Sequence, residues 1–211
     1  MALHAVVFDY GLVLSGPQEP EAYAQLLRIT GLPKEQFENF YWADRHAYDL
    51  GELTGIGFWQ KLMREAGLSQ DQAKAEELNH WDARMWTTVN PVTLAWQRAL
   101  KQRGLLTAIL SNIGDAVLAS VEREFNWIHG FDVLVWSYQL GIAKPDPAIY
   151  RHVLAKLGTR PEETLFLDDK TVNIEAARAL GIHAIEFSTV ENLRAEIIKF
   201  KLESELPLLD L

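Results

Sequence analysis

From residue 105 onward, short apolar runs alternate with amphipathic segments, and that alternation leaves few folds open to the chain. LLTAIL (105–110), DVLVWS (132–137), TLFLD (164–168) and HAIEF (183–187) read as strands. Residues 114–125, 146–157, 171–180 and about 190–202 carry helical spacing between and after them. Strands and helices in strict alternation imply parallel strands with helices on both faces, an α/β doubly wound sheet. AVVF (5–8) supplies one more strand at the start of the chain.

Between that first strand and residue 105 the pattern changes. After the turn at Ser15-Gly16-Pro17, helical spacing runs over 19–29, 34–48, about 57–66 and 69–86, with no convincing strand among them. Pro91 then opens a helix to Gln102, and Gly104 stops it. The expected organisation is a core formed by 1–16 and 92–211, with an all-helical insertion over 17–91. The apolar tail ELPLLDL (205–211) is expected to dock on the core.

Composition excludes several classes of function. No segment approaches 18 uninterrupted apolar residues, so a membrane span is not expected. The start, MALHAVVFDYG, reads as a first strand and not as a signal peptide. Cysteine is absent, which removes disulfides and thiolate metal sites and suits a cytoplasmic enzyme. The net charge of −9 is spread along the chain without a basic run, so nucleic acid is not an expected partner. An acidic protein can still bind a small phosphate if a metal ion offsets the local carboxylates. Nothing in the sequence signals an oligomeric state.

Polar residues end the apolar runs where chemistry would sit. Asp9 follows the first strand in FDYGLVL, Ser111 and Asn112 follow the second in LLTAILSN, and Asp168 and Asp169 close ETLFLDD. Lys144 lies in GIAKPDP, ahead of a helix. A doubly wound sheet binds ligands at the C-terminal edge of its strands. A carboxylate there can attack phosphorus in line, splitting one hard displacement into two. A hydroxyl and backbone N–H groups at Ser111 and Asn112 can hold phosphate oxygens, and helix N-termini bind anions. The Lys144 ammonium would neutralise phosphate and steady Asp9. Adjacent carboxylates repel unless a cation lies beside them, and Mg²⁺, which takes oxygen ligands, is the expected occupant. Asn173, one helical turn beyond Asp169, can face the same site. Each has a plainer reading too: Asp as a turn residue, Ser-Asn as a helix cap, Lys as a surface charge.

These four motifs, in this order and spacing, resemble the haloacid dehalogenase superfamily of hydrolases, in its helical-cap branch with an FDxGxV opening. The resemblance implies a Rossmann-like core, a Mg²⁺-dependent phosphatase acting through an aspartyl-phosphate, and a small phosphorylated metabolite such as a sugar phosphate as substrate. It also implies Asp9, the Gly11 carbonyl and Asp169 as metal ligands, with Asp168 and Asn173 behind them. One departure stands out. The family's phosphatases carry a second aspartate two residues after the first, as acid and base, and here that position is Gly11. Help of that kind is worth about 10²–10⁴ in rate. Tyr10, Asp44 and His46 are the candidate substitutes. Two alternatives stay open: a metal-independent haloacid dehalogenase, disfavoured by the Asp168–Asp169 pair, and a non-catalytic phosphate-binding protein, favoured by Gly11.

The inserted helices would set specificity. Their aromatic cluster (Phe37, Phe40, Tyr41, Trp42, Tyr48, Phe58, Trp59) reads mainly as core, and Trp42, Arg45 and His46 are the residues expected to face substrate. A family cap opens and closes over the site and would exclude water from it.

Overall fold

Strands buried on both faces need apolar side chains in both directions, and these runs have them. In the computed structural model, which describes residues 2–207, β1 (Ala5–Phe8), β2 (Leu106–Ser111), β3 (Val133–Trp136), β4 (Thr164–Asp168) and β5 (His183–Glu186) form one parallel sheet in the order β3-β2-β1-β4-β5. Strand β1 is central. Phe8 pairs with Ile109 on one side and Leu167 on the other, so the residues that end the three strands meet at one edge. The chain order reverses at β1, the point where such sheets open a crevice.

Eleven helices accompany the sheet among the described residues: α1 (Pro20–Thr30), α2 (Lys34–Ala43), α3 (Arg45–Asp49), α4 (Gly55–Glu65), α5 (Gln72–Met85), α6 (Pro91–Gln102), α7 (Asp115–Glu124), α8 (Ser137–Leu140), α9 (Pro147–Leu157), α10 (Thr171–Ala179) and α11 (Val190–Lys199). Val6, Phe8, Ile109 and Leu167 pack on one face with Leu94 and Trp96 of α6, Val121 of α7 and Leu193 of α11. Val7, Ala108, Leu110 and Phe166 pack on the other with Ile149 and Val153 of α9 and Ile174 of α10. Helices α1 to α5 bury a cluster of their own around Phe37, Tyr41, Trp59 and Leu78. Each of the aromatics expected in that core packs there except Trp42, which is exposed.

Where the boundaries differ from expectation, local chemistry explains it. The 34–48 segment is two helices, broken at Asp44, whose ψ of 8° leaves the helical range. The helix expected from residue 69 starts three residues later, because Asp71 caps it through bonds to the Ala73 and Lys74 N–H groups. Short α8 has too few residues to show a periodicity. Of the tail, Leu206 is buried in the core and the Pro207 carbonyl accepts a bond from Trp96 Nε1 at 2.7 Å, while residues 208–211 lie outside the described residues. No helix among the described residues is long and apolar enough to cross a membrane.

The helical layer meets the start of α7 through close contacts. Asp115 Oδ1 accepts from the Gly55 N–H at 2.9 Å, and Ala116 N–H donates to the Tyr48 hydroxyl at 3.3 Å. Gly114 is needed for that approach, since a Cβ there would lie 2.2 Å from Tyr48 Cζ.

Candidate active site

The in-register strands deliver Asp9, Ser111, Asp168 and Asp169 to one edge, and the loop before α9 brings Lys144 over it. Lys144 is buried, with Nζ 2.9 Å from Asp9 Oδ1 and 2.6 Å from Asp168 Oδ2. Asp168 is fully buried and also accepts from the Lys170 N–H at 2.8 Å and from Asn173 Nδ2 at 2.9 and 3.1 Å. Its oxygens are thus engaged in holding Lys144 and the start of α10. Asn112 does comparable work, donating from Nδ2 to the Lys144 carbonyl and accepting the Lys144 N–H at Oδ1, both at 2.8 Å. Both ends of the Asn112 amide are thus engaged, and the Ile113 N–H donates to Ser137 Oγ at 2.9 Å. The Ser111 hydroxyl, held only by a 3.4 Å contact to the Asn112 carbonyl, is the donor most readily turned to a ligand at this strand end.

Charge balance follows. Carboxylate oxygens of Asp9, Asp168 and Asp169 lie within 4.8 Å of one another. Burial pushes the Asp9 carboxyl up to about 7, against the pull of Lys144, and Asp168 and Asp169 push the same way. Asp169 is raised by burial and then by Asp168. Lys144 loses hydration on burial, yet the two carboxylates more than offset this and hold it charged. Three acids face one ammonium, so the cluster accommodates a further cation. The Asp9 and Asp169 oxygens not held by Lys144 are suited to Mg²⁺, which favours carboxylate oxygen. The Gly11 position leaves room beside Asp9: a Cβ there would meet nothing closer than Asp9 Oδ2 at 4.0 Å.

Beyond the cluster lies a cavity of about 600 Å³, reaching from Asp9, Gly11, Ser111, Lys144 and Asp169 to the helical layer. Of the three residues expected to face substrate, Trp42 and Arg45 line it, whereas His46 does not and is exposed. Successive residues of a helix point about 100° apart, and on α3 it is Arg45 that turns inward and is buried, which leaves His46 to solvent. Arg45 reaches the cavity wall with its guanidinium already bound, to Asp49 Oδ1 at 3.1 Å, to both Asp82 oxygens at 3.2 and 3.3 Å, and to the Tyr41 hydroxyl.

The candidate substitutes for the missing acid fare poorly. Tyr10 donates its hydroxyl to the Trp86 carbonyl at 2.7 Å, and burial pushes its ionisation far up. Asp44 pairs with Lys61, and neither it nor His46 borders the cavity. Asp49 does border it. Burial raises its carboxyl, and the opposing pull of Arg45 does not cancel this. No local signal in the sequence singles out Asp49, because what distinguishes it is the placing of α3 beside α8, where the Ser137 hydroxyl donates to the Asp49 carbonyl.

A Rossmann-like sheet with a carboxylate cluster and a buried lysine at its C-terminal edge defines a hydrolase core of the α/β class. The chain belongs to the haloacid dehalogenase-like hydrolases, whose family model matches residues 5–181. A phosphatase of Mycobacterium tuberculosis is 31% identical over 190 residues, with 87% of each chain covered. Bifunctional epoxide hydrolase 2 of Rattus norvegicus is 36% identical over 204 residues, which take in 88% of this chain but 36% of that protein. Among solved structures, a family enzyme of Bacteroides thetaiotaomicron matches with a TM-score of 0.75 at 20% identity, covering 89% of this chain and 95% of that one. That enzyme has also been crystallised with magnesium and inorganic phosphate. At such identity the likeness concerns the fold.

Proposed function

We propose that the protein is a Mg²⁺-dependent phosphatase of small phosphorylated metabolites, with Asp9 as nucleophile and residues 17–91 as a cap over the core formed by 1–16 and 92–211. The observation that supports this most is the packing of Asp9, Asp168 and Asp169 around the buried Lys144 at the edge of the sheet. The phosphatase among the similar proteins points the same way.

In this reading Asp9 attacks phosphorus, the bond to the leaving oxygen breaks, and the phosphoryl group is carried on the Asp9 carboxylate. The Ser111 hydroxyl holds a phosphate oxygen, and Lys144 supplies fixed positive charge. Asp9, Asp169 and the Gly11 carbonyl would hold Mg²⁺, with Asp168 and Asn173 supporting them, and the ion would offset the charge of the transferring group. Asp49 takes over the proton transfers: it gives a proton to the leaving alcohol, then removes one from the water that cleaves the aspartyl-phosphate. Water adds hydroxyl to phosphorus, Asp9 is regenerated, and inorganic phosphate leaves.

The direct test is phosphate release from a panel of phosphomonoesters with Mg²⁺ or EDTA. Release that needs the metal supports the reading. Turnover of 2-haloacids without metal would make the protein a dehalogenase, and phosphate binding without turnover would make it a binding protein.

Two further outcomes are expected. Asp49→Asn lowers kcat/KM by about 10²-fold or more and removes the basic limb of its pH profile; an unchanged profile would take Asp49 out of the proton transfer. Mg²⁺ raises the melting temperature, because it binds the folded site alone. Its affinity falls about tenfold per unit as pH drops below the Asp9 value of about 7, since cation and proton compete for that carboxylate. Calorimetric titration across pH 5.5 to 8 reads this, and an affinity independent of pH would contradict it.

A further inference from the structure

Just after Asp9 the backbone is held against its own preference. Leu12 has φ 58° and ψ −7°, the left-handed region, whereas neighbouring Gly11, which could adopt it freely, sits at φ −61°. For a non-glycine residue that conformation is disfavoured, because Cβ crowds the following carbonyl oxygen. The Leu12 N–H donates to Ser15 Oγ at 2.9 Å and the Ser15 N–H to the Tyr10 carbonyl at 2.7 Å, which ties the turn. The strained turn presents Leu12 outward, 41% exposed, as part of the cavity wall. Leucine therefore stands where both backbone and solvent disfavour it, three residues from the nucleophile. Strain of this kind concentrates at ligand sites.

The helical layer contributes the matching surface. Trp42 is 46% exposed and lines the same cavity, its Nε1 donating to Glu38 Oε2 at 2.7 Å. Trp86, Ile113 and Val117 add to the apolar wall. Of the polar groups near them, Arg45 is engaged with Asp49 and Asp82 and the Tyr10 hydroxyl with the Trp86 carbonyl. That leaves Gln18 and Lys170 as the side chains on that rim able to meet a hydroxyl. A sugar carries several hydroxyls, each costly to bury without a partner. These walls offer few partners and much apolar area.

Taking the phosphatase reading as given, we infer that the substrate is a phosphomonoester of an apolar alcohol, gripped between Leu12 and Trp42, and not a sugar phosphate. Leu12 is then a specificity residue whose conformational cost is offset when the apolar group covers it.

Hexyl phosphate and glucose 6-phosphate are both primary alkyl phosphates, so comparing them isolates the organic part from leaving-group chemistry. With Mg²⁺, kcat/KM for hexyl phosphate is expected to exceed that for glucose 6-phosphate by tenfold or more. Leu12→Asn tests the residue, because asparagine tolerates the left-handed region. This variant melts no lower than wild type, yet its KM for hexyl phosphate rises about tenfold more than its KM for methyl phosphate. Equal or better use of glucose 6-phosphate overturns the inference, as does a Leu12→Asn variant that keeps the hexyl preference. If no ester is hydrolysed, the phosphatase reading fails, and calorimetry on Asp9→Asn decides the inference separately. Tighter binding of hexyl phosphate than of glucose 6-phosphate supports it, and equal binding overturns it.

Discussion

Asp9→Asn is expected to reduce phosphate release by on the order of 10⁴–10⁶-fold, the scale on which enzymes lose rate when a nucleophile is removed. The amide keeps the side chain's shape, and Lys144 retains its 2.6 Å contact with Asp168, so the fold should persist. The sign of the stability change follows from the raised Asp9 carboxyl. Between the ordinary carboxylate value and about 7, folded Asp9 binds more protons than unfolded Asp9, so metal-free wild type loses stability as pH rises through that window. The amide of the variant does not titrate and lacks this loss. Without Mg²⁺ at pH 8 the variant should therefore melt at or above wild type, while showing no phosphate release. Full retention of activity would remove Asp9 from the nucleophile role, and a lower melting point would mean its charge is better compensated than the geometry indicates.

Lys144→Met carries the largest expected stability effect. Its ammonium is the buried cation between Asp9 and Asp168, and removing one partner of a buried pair costs about 3–5 kcal/mol because charge is left uncompensated. Methionine fills much of the same volume, so most of the loss is electrostatic. Urea denaturation without metal reads it as a lower midpoint at pH 8 that recovers as pH falls and the carboxyls protonate. Adding Asp9→Asn should restore part of the loss, since it removes one of the two charges Lys144 served. Additive losses in the double variant would instead assign Lys144 a packing role.

The relatives fit these expectations differently. The phosphatase of Mycobacterium tuberculosis is covered over nearly its whole length, whereas the epoxide hydrolase is covered over about a third. The epoxide hydrolase's activities therefore lend nothing to this chain, and that comparison concerns the shared segment.

Much of the core was legible because strand and helix signals are local. The apolar runs at 5–8, 105–110, 164–168 and 183–187 each became strands within a residue or two, and Pro91 and Gly104 bracketed α6 as read. The polar residues ending those runs share an edge because parallel strands in register can bring them nowhere else. The helical layer was less legible. Its helices were visible, but neither the break at Asp44 nor the turning of Arg45, in place of His46, into the cavity was.

Periodicity and motif spacing are written along the chain, so the linear order of residues was enough for the α/β alternation, the helical insertion and the family. What stands in the cavity once Gly11 has removed the usual acid depends on packing alone. Asp49, Leu12 and Trp42 meet there from separate segments, and their burial, strain and exposure exist only after the chain has folded. Arg45 shows the same division. As a sequence letter it is a free cation, and in the fold its guanidinium is bound by Asp49 and Asp82. Charge is a property of the residue, but its availability is set by whichever neighbours the fold brings within bonding distance.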